Sequence, residues 1–145
     1  MATLIDSNVI VSLLIQSEKT EDAEKILENV RNPVTIITVI EESIYIGLSL
    51  IYDARGTRLK NKIKDCLRDD AVSFLRNLES FLEDFEIKLI APPNDVKLLT
   101  EIIEKYSLLP NDALIVATCK FYGIKHIASF DKDFQRVDFL EVVVV

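Results

Sequence analysis

Short apolar runs alternate along this chain with stretches in which apolar residues recur every third or fourth position. The runs read as strands and the stretches as helices. Ala2 to Ile5 is the first run. A helix is predicted from Ser7 or Asn8 through Leu14, with Ser7 as its N-cap. A second follows Thr20, with Ala23, Ile26, Leu27 and Val30 on one face, and Asn32-Pro33 ends it. Val34 to Ile37 is the second strand. Thr38 then caps a helix from Val39 to about Tyr52, in which Ile40, Ile44 and Leu48 recur at every fourth position.

After a break at Asp53 to Arg58, a charged helical region runs from Leu59 to Asp84, as one helix or two. Ile87 to Ile90 is the third strand, stopped by Pro92-Pro93. Asn94 caps a helix through Tyr106. Another runs from Pro110 or Asn111 to Tyr122, and Gly123 stands where a glycine C-cap belongs. Ile127 to Phe130 and Glu141 to Val145 are the last strands. Strands alternating with helices imply a parallel sheet covered on both faces, an α/β fold in a single domain over 1–145.

The 145 residues are 49% hydrophobic, ample for such a core. No uninterrupted apolar stretch reaches bilayer-spanning length, and no basic segment leads an apolar one at the N-terminus; a cytoplasmic protein without a membrane anchor is expected. The net charge of −7 argues against nucleic-acid binding by bulk charge, but not against a local basic patch. Arg55, Arg58, Lys60, Lys62, Lys64 and Arg68 form such a run. It reads as a solvated helix face interrupted by Asp65, Asp69 and Asp70, or as a phosphate-contacting arm in which Arg55, Arg58, Lys60 and Lys62 bind RNA. Cys66 and Cys119 lie far apart with no CxxC and no companion histidines, so zinc is not expected. With three glycines there is neither a GxGxxG nor a Walker A loop.

Four acids close or follow the runs Thr3-Leu4-Ile5, Val34-Thr35-Ile36-Ile37, Leu108-Leu109-Pro110 and Ile127-Ala128-Ser129-Phe130, each read as a strand: Asp6, Glu41, Asp112 and Asp131. In an open α/β sheet the carboxyl ends of the strands form the ligand crevice. Four acids there would make a hard-metal site. Each also has a separate structural explanation. Asp6-Ser7-Asn8 is a capping cluster. Thr38-x-x-Glu41 is a capping box. Asp112 opens a helix, and Asp131 and Asp133 suit a turn. Glu42 competes with Glu41 for the crevice. Ser129 is placed to hydrogen-bond a ligating carboxylate. Oxygen-only ligands favour Mg²⁺ or Mn²⁺ over zinc or copper, and without a cation such acids should repel and have raised pKa values. His126, the only histidine, lies beside a strand outside any motif and reads as structural.

Leu4-Ile5-Asp6-Ser7-Asn8, Thr38-Val39-Ile40-Glu41, Asn111-Asp112-Ala113-Leu114-Ile115-Val116-Ala117 and Ile127-Ala128-Ser129-Phe130-Asp131-Lys132-Asp133-Phe134 occur in that order. The ordered set resembles PIN-domain ribonucleases, most of all the small VapC toxins, from about Thr3 to the C-terminus. The resemblance implies a three-layer fold with a central five-stranded parallel sheet between helices. It implies an endonuclease of single-stranded RNA that uses Mg²⁺ or Mn²⁺ to activate water, leaving a 5′-phosphate and a 3′-hydroxyl. It gives Asp6, Glu41, Asp112 and Asp131 the catalytic and metal-binding roles, with Asn8, Ser129, Asp133 and Glu42 in support. It implies an antitoxin whose arginine or lysine pairs with these acids, while an amphipathic tail lies on apolar surface near Leu13, Leu14 and Ile26. A symmetric homodimer is expected on general grounds. The stretch from Asp53 to Asp84 is longer and more charged than in compact toxins. Two alternatives stay open: a housekeeping RNA-processing nuclease, and a catalytically silent PIN fold that binds RNA or protein.

Overall fold

Five short strands form a sheet in the computed structural model, which describes residues 1–143: β1 (Thr3–Ile5), β2 (Pro33–Thr35), β3 (Lys88–Leu89), β4 (His126–Ala128) and β5 (Glu141–Val143). Their spatial order is β3-β2-β1-β4-β5 and every pairing is parallel. Leu4 at the centre is in register with Val34 on one side and Ile127 on the other. Seven helices flank the sheet: α1 (Ser7–Leu14), α2 (Thr20–Glu28), α3 (Ile37–Tyr52), α4 (Gly56–Asp65), α5 (Asp69–Asp84), α6 (Val96–Tyr106) and α7 (Pro110–Tyr122). A 3₁₀ turn, Lys132–Arg136, joins β4 to β5.

The order of the strands dictates the layers. The chain steps outward from β1 to β2 and β3, then returns past β1 to β4. Right-handed crossovers place α1 to α5 on one face and α6 and α7 on the other. The packing follows: α1 lies against α2 and α3, α5 against α1 and α3, and α6 against α7. The winding reverses between β1 and β4. A crevice opens outside the carboxyl ends of strands at such a reversal.

Leu4, Ile5, Ile127 and Ala128 of the central strands are wholly buried against Val9, Ile10, Ala113 and Val116 of the helices. A second, smaller apolar cluster joins Tyr52, Ala54, Leu59 and Ala71 beneath α4. Gly47 on α3 sits where a Cβ would enter the Phe74 ring, so glycine is what lets α5 approach.

Several local expectations give way to packing. The charged region is two helices, broken at Cys66–Arg68. The Tyr52 hydroxyl secures the break: it donates to the Cys66 carbonyl and accepts from the Arg68 N–H, both at 2.8 Å. Asp6, not Ser7, caps α1, and Asp95, not Asn94, caps α6. The capping box at Thr38 does not form. α3 starts earlier, at Ile37, behind Ile36, which is 0% exposed. Burying Ile36 sets the helix start more strongly than one side-chain cap, worth about 1 kcal/mol. Leu108-Leu109-Pro110 is a connection into α7 rather than a strand. Ile26 is 2% exposed, while Leu13 and Leu14 pack on the core and stay partly exposed. Val144 and Val145, expected in the last strand, lie outside the described residues. Among the described residues no helix is long and apolar enough to cross a membrane.

Candidate metal centre

The reversal between β1 and β4 brings Asp6 and Ser129 together across 123 positions of sequence. The Asp6 backbone N–H donates to the Ala128 carbonyl at 3.0 Å, extending the β1–β4 pairing to the point where both chains turn away. Asp6 is 3% exposed. One carboxylate oxygen accepts from the Ser7 backbone N–H at 2.8 Å, the other from the Ser129 hydroxyl at 2.7 Å. Ser129 Oγ in turn accepts from Asn8 Nδ2 at 3.2 Å and from the Asp131 N–H at 3.0 Å. Asn8 Oδ1 accepts from the Phe130 N–H at 3.1 Å. Asp131 accepts the Asp133 N–H at 2.9 Å and so opens the 3₁₀ turn. One serine hydroxyl thus fixes the β1 acid, the first turn of α1 and the loop after β4.

Asp112 enters from the opposite helical layer, in the first turn of α7, where the helix dipole favours an acid. One of its carboxylate oxygens, one of Asp131 and one of Asp133 lie within 4.8 Å of one another. The fourth contribution comes from α3, and it is Glu42. Successive residues on a helix point about 100° apart. α3 buries Val39, Ile40 and Ser43, so Glu41 points outward, into a groove with Ile44, Leu48 and Lys60. Glu42 is half-buried and feels the charges of Asp6 and Asp131. Of the two candidates on α3, the structure brings Glu42, and not Glu41, toward Asp6 and Asp131. Only Asp6 and Asp131 follow strands; the other two acids reach the crevice from helices.

Electrostatics ties the acids into one cluster. Burial pushes the Asp6 carboxyl above the ordinary range, against the pull of its hydrogen bonds to Ser129 and Ser7, and Asp131 pushes it further. Burial likewise raises Glu42, followed by the charge of Asp6, with a Ser7 hydrogen bond opposing. Asp112 is pushed up to about 6, first by burial, then by Asp6, Asp131, Glu42 and Asp133. Opposed carboxylates in a half-buried pocket hold these values only while no cation is present. Oxygen donors alone, several to one small space, suit a hard divalent ion such as Mg²⁺ or Mn²⁺. The residues fit such an ion. Ser7, read from sequence only as a cap, is a donor in this network; its place between Asp6 and Asn8 was the available signal.

The basic run divides. Arg55 and Arg58 border a cavity against α3. Lys60 lies on the other side of α4, in the groove with Glu41. Lys62 donates to the Tyr52 carbonyl at 3.1 Å and holds the end of α3. His126 is half-buried on β4, 3.4 Å from Glu141 of the neighbouring strand and away from the acids.

A family model described as "PIN domain" matches residues 3–140. Ribonuclease VapC2 of Methanocaldococcus jannaschii is 40% identical over 140 residues, covering 95% of this chain and 90% of the relative. Among solved structures, Mycobacterium tuberculosis VapC20, a toxin described as cleaving the sarcin–ricin loop, has a TM-score of 0.65 at 16% identity and 99% coverage of both chains. VapBC2 from Rickettsia felis, solved on a DNA fragment from its promoter, has a TM-score of 0.64 at 16% identity, covering 98% of this chain and 97% of that one. At such identity these two structures speak for the fold. The family model and the sequence relative both run along nearly the whole chain, which therefore belongs to the PIN-domain family, among the VapC ribonucleases.

Proposed function

We propose that this chain is the toxin of a toxin–antitoxin pair, a Mg²⁺- or Mn²⁺-dependent endoribonuclease that cleaves single-stranded RNA. Asp6, Glu42, Asp112 and Asp131 would hold the ion, with Asp133 at its edge and Ser129, Asn8 and Ser7 in support. The observation that carries the reading is the Ser129 hydroxyl, which ties Asp6 to the Asp131 loop in front of Asp112. A bound divalent cation supplies Lewis acidity and neutralises the acids so that a phosphate can approach. The chain's own groups do the positioning. Ser7 and Ser129 each donate to one oxygen of Asp6 and fix its orientation, leaving a lone pair on each oxygen, while Asn8 anchors the loop that carries Asp131. Water is the proposed attacking group; His126, the one histidine of the sequence, lies beside Glu141 rather than at the acids. An antitoxin would place an arginine or lysine among these acids, and a homodimer is part of the same reading.

The test has two arms. End-labelled single-stranded RNA should be cut to 5′-phosphate and 3′-hydroxyl products with Mg²⁺, and left intact in excess EDTA. Expression alone should arrest growth, and co-expression with the neighbouring small gene should relieve it with the two proteins co-purifying. Harmless expression of a chain active on RNA, with no neighbour that binds it, would point instead to an RNA-processing nuclease.

A further inference from the structure

A groove leads away from the acids along α3. Residues four apart share a helix face, and Glu42, Ile46 and Leu50 form such a stripe. Ile46 and Leu50 border one hollow with Asn8, Val11 and Ile15, and then a second of about 530 Å³ with Tyr45, Arg55 and Arg58. Asn8 is the residue that hydrogen-bonds Ser129 beside Asp6. The track is thus continuous from the acids to the arginines, with Leu50 about 12 Å along α3 from Glu42.

The far end has its own chemistry. In a chain of net charge −7, Arg55 and Arg58 are exposed and, among the described residues, neither is in an ion pair, whereas Arg68, Arg76 and Arg136 are. Asp53 also borders the hollow but forms no such pair. Tyr45 is 46% exposed, and its hydroxyl accepts the Gly56 N–H at 2.9 Å, which holds the ring in place. Leu50 beside it is 56% exposed. A fixed ring, an exposed leucine and two free guanidinium groups match the needs of a single strand. Bases stack on aromatic and apolar surface while phosphates meet planar cations.

We propose that this hollow is a nucleotide subsite for the RNA substrate, remote from the cutting centre. Arg55 and Arg58 hold a phosphate there, and Tyr45 and Leu50 hold a base. The subsite rests on the ribonuclease reading and narrows the basic run to two of its members. It makes RNA that reaches a few nucleotides beyond the cleavage point bind better than RNA that stops there.

The experiment measures anisotropy of a labelled single-stranded oligonucleotide against KCl concentration, using the full chain with Asp112→Asn so that RNA binds without being cut. Adding Arg55→Ala and Arg58→Ala should weaken binding about tenfold or more and lower the salt slope by about 0.7, the one single-strand phosphate that the pair holds. Arg55→Lys with Arg58→Lys should restore the slope, and Leu50→Asp should weaken binding by placing an acid in the track. An unchanged melting temperature excludes misfolding. Parental affinity and slope in both the double-alanine and Leu50→Asp proteins overturn the subsite. So does retained RNA affinity with loss of a co-purifying antitoxin, which would give the groove to a protein partner. Mg²⁺-dependent cleavage by the unmodified chain separates the two readings. If it cleaves while the variants bind as the parent does, only the subsite falls. If it neither cuts nor binds RNA, both fall.

Discussion

Asp112→Asn should stabilise the metal-free protein. The acid is pushed from 3.8 to about 6 by burial and by Asp6, Asp131, Glu42 and Asp133, and no hydrogen bond pulls it back. A raised acid keeps its proton in the native state after the unfolded chain has lost it. Native stability therefore falls as pH rises from about 4 to about 6 and levels off above that. The full shift corresponds to about 3 kcal/mol. Asp112 is partly solvated, and screening reduces the expected gain to roughly 1–2 kcal/mol. Asparagine keeps the shape and removes the charge. Thermal melts in EDTA should show the variant above the parent by roughly 3–6 °C at pH 8, and the gap should close near pH 4. Mg²⁺ should reverse the order, since only the parent gains stability from a bound ion. Equal melting temperatures at pH 8 in EDTA, or a gap that does not depend on pH, would refute the reasoning.

Three further outcomes follow from particular contacts. Ser129→Ala removes the hydroxyl shared by Asp6, Asn8 and the Asp131 loop, and should reduce cation affinity or RNA cleavage by about 10–100-fold in calorimetry and cleavage assays. Tyr52→Phe deletes the bridge between Cys66 and Arg68 and should cost about 1–3 kcal/mol in chemical denaturation, with earlier proteolysis at the α4–α5 junction. Gly47→Ala drives a methyl into the Phe74 ring and should cost about 1–3 kcal/mol, and a companion Phe74→Leu should recover part of it.

The alternation of short apolar runs with helical stretches was legible because periods of two and 3.6 are set by the backbone alone. So was the meeting of Asp6 with Asp131, once both followed strands. The choice between Glu41 and Glu42 was not. Thr38-x-x-Glu41 satisfies a local capping rule, but α3 starts at Ile37 and buries Val39, Ile40 and Ser43, which leaves Glu41 exposed and Glu42 beside Asp6. Asp112 was placed by its motif while the strand expected before it is absent. The track along Ile46 and Leu50 left no periodic signal, because α3 is apolar on most of its circumference and only packing decides which side stays open.

Glu42 is proposed to join Asp6, Asp112 and Asp131 in a divalent-cation site. Calorimetric titration of metal-free protein with Mn²⁺ tests it most directly, on the parent, Glu42→Gln and Glu41→Gln. Glu41→Gln should bind as the parent does, because its side chain faces the groove with Lys60. Glu42→Gln should lose most of the affinity. Loss confined to Glu41→Gln, or parental binding by Glu42→Gln, would contradict the account.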